Sequence, residues 1–320
     1  MKKFFAAILL SLVLCPLSLL TGCGEENYER SEKMMGTLVT LKASGGNSKA
    51  AVDKSFDELF KLVENVKVDV KNLNDSAGSG EFVKVSPEVF DMLKLSQKYS
   101  ELTGGAFDVT CGAAVDLWRT ARKNKVLPAP EDIDAVKNLV GYQHLHLKEM
   151  EQSAMIDLAG VKINLGGVGK GYGVDIVRKI FSEHGITDGL IDFGTSSIFA
   201  FGKKKIGIKN PRNDNELAQI IELENCALST SGDYEQFFIV DGRRYHHIIN
   251  PKTCLPTDNG IASVSVIVSG NVKSCGAIAD ILSTAILVLG EENSKEFLKD
   301  SPTQSVIIKE IFMHFVDKIE

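Results

Sequence analysis

The sequence has little that would make it a nucleic-acid binder. Its 320 residues carry 36 Lys and Arg against 42 Asp and Glu, a formal net charge of −6. The basic residues form no block and no aromatic-interleaved stripe, so the clustered positive charge that neutralises phosphates is missing. The periods of collagen, coiled coils and solenoids are absent, as are low-complexity tracts. With 44% hydrophobic residues, spread along its length, the chain is not composed like a disordered one. Cysteine is sparse: six residues, with no CxxC pair and no Cys/His spacing of a zinc site. No linker divides the chain. What remains is enough length for one large or two modest domains with a real core.

The first residues are a separate object. Met1-Lys2-Lys3 is a positive start, residues 4–20 are almost entirely apolar, and Leu20-Thr21-Gly22-Cys23 places small residues before a cysteine. That is the pattern of a bacterial lipoprotein signal. A retained membrane anchor is the alternative. Against it stand the short apolar stretch, its break at Cys15-Pro16 and its small-residue end. The expected organisation is therefore a signal peptide at 1–22, a polar tether at 23–33 with lipid on Cys23, and one domain at 34–320. Removing 22 of the 320 residues leaves 298, and losing Lys2 and Lys3 takes the net charge from −6 to −8. The protein is then expected outside the cytoplasmic membrane, anchored to the bacterial cell membrane by a diacyl-plus-acyl group, palmitate among its chains, which holds more firmly than one chain. Cys111, Cys226, Cys254 and Cys275 remain. Such a location permits disulfides, and buried free thiols are the alternative.

Periodicity mixes strands and helices without regular βαβ alternation, which predicts an α+β fold. Residues 35–43 alternate as a strand, and 48–66 repeat apolar residues at helical spacing (Val52, Phe56, Leu59, Phe60, Val63). A turn-rich loop is read at 72–80. Ser86-Pro87 opens a helix through Tyr99, with Pro at its favoured first position, and Gly104-Gly105 breaks it. A second short helix is predicted at 131–139, and short strands at 144–147 and 155–158. A helix follows the glycine-rich turn at 166–173. Short strands fill 189–268, and helices close the pattern at 275–289 and 291–298. One compact unit with a helical insertion around 85–140 is expected.

Several segments could carry chemistry. The glycine loop Asn164-Leu165-Gly166-Gly167-Val168-Gly169-Lys170-Gly171-Tyr172-Gly173 precedes a helix, where backbone N–H groups can receive phosphate, although it fits neither a Walker A loop nor GxGxxG. A flexible turn with a solvated lysine is the plainer reading. Asp280 and Thr284, four apart on the late helix, share a face. With a main-chain oxygen they would make a hard-oxygen set suited to Mg²⁺, or simply a polar helix surface. His246 and His247 are neighbours on a strand, so at most one faces a given site. His144 and His146 share a strand face without a third ligand and read as structural. Ser229-Thr230-Ser231-Gly232 is either a hydroxyl-rich phosphate or sugar contact or a turn.

Taken together these segments resemble the FAD:protein FMN transferase (ApbE) family, in a lipoprotein member. The likeness runs in order through Met35-Gly36-Thr37, Thr103-Gly104-Gly105-Ala106-Phe107-Asp108-Val109-Thr110 with Leu117-Trp118, the glycine loop to Asp175, and Thr230-Ser231-Gly232-Asp233-Tyr234. It continues through Tyr245-His246-His247-Ile248-Ile249-Asn250-Pro251-Lys252-Thr253 and Ala279-Asp280-Ile281-Leu282-Ser283-Thr284-Ala285. The resemblance implies a T-fold-related α+β unit that splits FAD with Mg²⁺. It would attach FMN through a phosphoester to a Thr of an extracytoplasmic acceptor, a redox-complex subunit, and release AMP. It implies that Asp280, Thr284 and the Gly167 carbonyl hold Mg²⁺, and that Met35, Ala106, Phe107, Asp108, Asn164, Lys170 and His247 line the FAD site. His247 would contact the phosphates or take the Thr proton, and with Asp280 carries the catalysis.

Some positions depart from the family pattern. Asn164 and Asn250 stand where Asp is usual, Cys254 where Gly is, and Gly194-Thr195-Ser196 replaces a more common Gly-Gly. The tyrosine expected near the adenine has no counterpart, and Glu64 or a neighbour lies there. Two alternatives therefore stay open: an FAD pyrophosphatase giving FMN and AMP, and an FAD-binding lipoprotein without turnover. The acceptor's identity and the oligomeric state are not written in the chain.

Overall fold

The chain enters the fold as a hairpin, β1 (Tyr28–Met34) and β2 (Thr37–Ser44), closed by Met35-Gly36. Both turn residues have positive φ, 51° and 74°, as a type I′ turn requires. In β2, Val39, Leu41 and Ala43 are buried while Leu38 and Lys42 face out, so the sheet begins with one covered face. The structure is a computed structural model that describes residues 27–194, 196–298, 303–309 and 313–316. The signal at 1–22 and Cys23 lie outside the described residues. The tether does not extend to residue 33 as expected. Residues 28–33 already pair with β2, and the Arg30 guanidinium packs 4.7 Å over the buried Phe56 ring.

Next come α1 (Ser48–Asp75), β3 (Val83–Lys84), α2 (Pro87–Leu102), α3 (Gly112–Asn124), α4 (Pro130–Lys137), β4 (Leu145–Lys148) and β5 (Ser153–Ile156). The helix α1 absorbs the start of the loop expected at 72–80. Leu73 is buried, and Asn74 ties the helix end to the main chain of Ile163. Strands β3, β5 and β4 form a small antiparallel sheet. The helices expected around 85–140 are present, but they are not set apart. In α2, Val89, Phe90, Met92 and Leu93 join the main core. The unforeseen α3 buries Ala114, Trp118 and Ala121 in a second cluster with Phe238, Ile249 and Cys254.

The remainder is α5 (Gly169–Glu183), β6 (Asp188–Phe193), β7 (Ser197–Lys209), β8 (Leu217–Gly232), β9 (Phe237–Val240), β10 (Arg243–His246), β11 (Ile249–Asn250), β12 (Leu255–Pro256), β13 (Ile261–Ser269), α6 (Cys275–Leu289), α7 (Glu291–Leu298), β14 (Thr303–Lys309) and β15 (Met313–Val316). Eight strands make the main sheet, in the order β1-β2-β6-β7-β8-β13-β14-β15, with every neighbouring pair antiparallel. This is the α+β arrangement that the missing βαβ alternation predicts. Helices α1, α5 and α6 cover one face through Phe56, Leu59, Phe181, Phe193, Val266 and Ile281. Ile198, Ala200 and Leu228, alternate residues on the same strands, cluster separately. Every residue of α6 is buried except Thr284 and Leu289, as in a helix that is apolar nearly all round. Asp280 and Thr284 are therefore presented from inside the core.

Candidate active site

The Met35-Gly36 turn, the glycine loop, α3, the β9–β10 hairpin and α6 enclose a cavity of about 610 Å³. Met35, Phe107, Asp108, Asn164, Gly167, Lys170, His247, Asp280 and Thr284 all line it. Ala106 does not. Its N–H donates to the Thr103 carbonyl after the double-glycine break, and its side chain is buried in the main core.

Two helices build the polar floor by exchanging caps. At the start of α5 the Gly171 N–H donates to Asp280 Oδ2 at 2.9 Å. At the start of α6 the N–H groups of Gly276 and Ala277 donate to the two oxygens of Asp175 at 3.0 and 2.9 Å. One N–H at the start of the glycine loop's helix is thus given to the protein's own carboxylate, while Gly166, Gly167, Gly169 and Lys170 line the cavity. The crossing needs glycine on both sides. A Cβ on Gly171 would sit 2.2 Å from the Gly276 carbonyl oxygen, and one on Gly276 would sit 2.4 Å from that of Gly171.

Burial raises the Asp280 carboxyl above its ordinary value, opposed by the nearby Lys170 charge and the Gly171 and Lys170 main-chain N–H groups. Among the described residues no Lys or Arg forms an ion pair with Asp280. Gly167 is wedged between Phe107 and Thr284: a Cβ there would lie 3.0 Å from the Phe107 ring and 3.5 Å from Thr284 Oγ1. A buried carboxylate without an ion-pair partner and a hydroxyl beside Gly167, whose main-chain oxygen would be the third donor, fit a hard divalent cation. Among the described residues no group of three His, Cys, Asp or Glu could hold a metal. The donors therefore suit Mg²⁺, which keeps waters and phosphate oxygens as its other ligands, better than a caged transition metal.

The two adjacent histidines have different fates. The Nε2–H of His246 donates to the Thr257 carbonyl at 2.7 Å and its Nδ1 accepts the Ile248 N–H at 3.3 Å, so both ring nitrogens are engaged. His247 is exposed, and its imidazole faces the cavity. Burial by the surrounding walls pushes its pKa down to about 4, helped by His246, Lys170 and Arg122 and opposed by the Gln236 main chain. Solvent reaching the ring from the cavity tempers that drop, and the direction carries the chemistry: a neutral base at pH 7.

The sequence matches the ApbE family over residues 35–308. The chain belongs to the ApbE family. It is 31% identical over 301 residues to an FAD:protein FMN transferase of Vibrio cholerae, with 88% of this chain and 87% of that protein covered. It is 28% identical over 326 residues to one of Treponema pallidum, with 92% and 88% covered. Among solved structures, the ApbE protein of Thermotoga maritima superposes with a TM-score of 0.80 at 29% identity, covering 91% of this chain and 97% of that one. The flavin transferase ApbE of Vibrio cholerae gives 0.78 at 28%, covering 92% and 99%.

The departures from the ApbE pattern are built in locally. Asn164 Oδ1 accepts the Gly166 N–H at 2.8 Å, a turn that needs an oxygen but no charge. Asn250 Oδ1 does the same for the Lys252 N–H at 2.9 Å. Cys254 holds φ at 55°, where glycine would be unstrained, and its carbonyl accepts the Trp118 Nε1–H at 2.7 Å. Thr195 lies outside the described residues. Glu64 faces solvent beside Lys67, while Val63, Val66 and Lys67 line the cavity. Asp108 Oδ1 accepts the N–H and hydroxyl of Thr110 at 2.8 and 2.7 Å, and burial raises its pKa. His144 Nδ1 and His146 Nε2 each lie 2.8 Å from an oxygen of Asp157. The four cysteines are free thiols, and burial raises three of them: Cys111, Cys254 and Cys275.

Sequence reasoning missed Asp175 as the cap of α6 and the aromatic wall Trp118, Phe238 and Tyr245, with Trp118 and Tyr245 stacked at 5.7 Å. Asp175 closes the glycine-loop segment, but its partner lies 101 residues away, and no local spacing links them.

Proposed function

We propose that this protein is an Mg²⁺-dependent FAD:protein FMN transferase, anchored outside the bacterial cell membrane by lipid on Cys23. It splits the FAD pyrophosphate, joins FMN to a Thr of an extracytoplasmic acceptor and releases AMP. One observation carries the reading: Asp280, Thr284, Gly167, Lys170 and His247 converge on a single cavity of about 610 Å³, a size that suits a small-molecule ligand. The activity named for the Vibrio cholerae and Treponema pallidum relatives supports it.

A divalent cation held by the Asp280 carboxylate, the Thr284 hydroxyl and the Gly167 carbonyl would offset charge on the pyrophosphate oxygens. Lys170 adds positive charge from the first turn of α5, which an acidic chain must gather locally. Neutral His247 takes the proton of the acceptor hydroxyl as that oxygen attacks the FMN phosphorus. The bond to the AMP phosphate breaks, and its electron pair leaves with AMP. Met35, Phe107, Asp108 and Asn164 shape the flavin nucleotide site, and the remaining acceleration comes from positioning. Subunits of extracytoplasmic redox complexes are the acceptors that the family resemblance suggests.

Product analysis tests this. With FAD, Mg²⁺ and a Thr-bearing acceptor, AMP should form in step with acceptor-bound FMN, and FAD alone should stay almost untouched. Equal FAD breakdown without acceptor would make the protein a pyrophosphatase. FAD binding with no product under either condition would make it a binding protein.

A further inference from the structure

Four polar groups at the cavity floor form a chain whose direction can be deduced. Ser283 Oγ lies 2.9 Å from the Asp280 carbonyl oxygen, which can only accept, so the single Ser283 proton is committed there. Ser231 Oγ lies 2.8 Å from Ser283 Oγ, and with the Ser283 proton spent this contact must be donated by Ser231. Ser231 Oγ also lies 3.1 Å from Thr284 Oγ1, and with the Ser231 proton spent that contact must be donated by Thr284. The Thr284 proton is therefore spent on Ser231, another residue of the cavity wall, and the oxygen's remaining lone pair is left for a ligand in the cavity. Ser283 is fully buried, so no water can take over its end of the chain.

We propose that Ser231, oriented by Ser283, is a positioning residue that locks the Thr284 hydroxyl as an acceptor toward the cavity and so presets it as a cation ligand. This rests on the cation reading of Asp280, Thr284 and Gly167 given above. A hydroxyl free to turn its proton inward would repel a cation, and outer partners that orient ligands typically change metal affinity by about 10–100-fold when removed.

Mn²⁺ titration of the purified full-length protein without FAD, followed by electron paramagnetic resonance, reads this apart from turnover. Ser231→Ala should weaken Mn²⁺ binding by about 10-fold or more. Ser283→Ala, which never touches the cavity, should weaken it too, because Ser231 would then be free to donate to Thr284. The double variant should bind no worse than Ser231→Ala, since both act through one chain. Ser231→Thr, which keeps the hydroxyl, should restore binding. Should Ser231→Ala fail to fold, Ser231→Cys keeps the volume with a poor hydrogen-bonding group and should show the same weakening. Mn²⁺ binding lost in Asp280→Ala but unchanged in Ser231→Ala and Ser283→Ala would overturn the proposal alone. Binding unchanged by Asp280→Ala would overturn the cation reading beneath it.

Discussion

Asp175 and Asp280 hold each other's helices: Asp175, on α5, accepts the opening N–H groups of α6, and Asp280, on α6, accepts the opening N–H of α5. Both carboxyls are raised by burial, yet their duties differ. Asp175 satisfies two main-chain donors within 3.0 Å, with Arg178 nearby at 3.8 Å. Asp280 satisfies Gly171 and turns toward the cavity.

That difference separates stability from activity. Asp175→Ala leaves two buried N–H groups unpaired and should cost about 1–3 kcal/mol in urea unfolding, with Asp175→Asn in between. Asp280→Asn should abolish flavin transfer without lowering stability. Because burial raises the folded carboxyl above its ordinary 3.8, its stabilising contribution is present below that value and is lost as pH rises through the folded pKa. Asp280→Asn escapes this loss, so its stability relative to the native protein should grow from acid to neutral pH. A destabilised Asp280→Asn at pH 7 would contradict the assignment.

The glycine crossing makes a steric prediction. Gly276→Ala forces a methyl to within 2.4 Å of the Gly171 carbonyl oxygen, a rigid main-chain neighbour. Overpacking of this kind costs about 1–3 kcal/mol or more. Thermal unfolding should reveal the loss, whereas Gly169→Ala, with nothing within 4 Å of its added Cβ, should unfold close to the native temperature apart from small helix-propensity effects.

His247 sets the acid limb of the pH profile. A base whose pKa is pushed down stays neutral in acid longer than an ordinary imidazole, so transfer should hold its rate below pH 6.5 and fall only on approach to the depressed value. His247→Gln should lower the rate by about 10²–10⁴-fold while FAD binding changes little. An acid limb centred above the ordinary imidazole value would argue that another group titrates.

Anchoring is tested by fractionation. Cys23→Ala should move the protein from the membrane to the soluble extracytoplasmic fraction with its FAD-dependent activity retained. Continued membrane retention would indicate a kept apolar span at 4–20 instead of a lipid.

Much of this architecture could be read before any coordinates. The α6 boundaries 275–289 follow from a mostly apolar composition, and Asp280, Ser283 and Thr284 stand out within it. The end of α1 was hidden because its last turns hold Lys, Asn and Asp, and what keeps them helical is Asn74 bound to a residue 89 positions away. Helix α3 was hidden because its stripe is one large residue, Trp118, between Ala114 and Ala121, a weak periodic signal that gains meaning once the β9–β10 hairpin packs on it. Ser231 could be named as a hydroxyl of interest, but its proton is directed by Ser283 on another element, and long-range pairing leaves no local spacing to read.

The central claim is that this cavity transfers FMN to a Thr hydroxyl. Intact-mass spectrometry of a Thr-bearing acceptor, incubated with FAD, Mg²⁺ and either the native protein or Asp280→Asn, tests it most directly. The native protein should add one FMN, less water, to the acceptor at a Thr that peptide mapping identifies, and Asp280→Asn should add none. An unmodified acceptor with the native protein, or equal modification by both, would contradict the account.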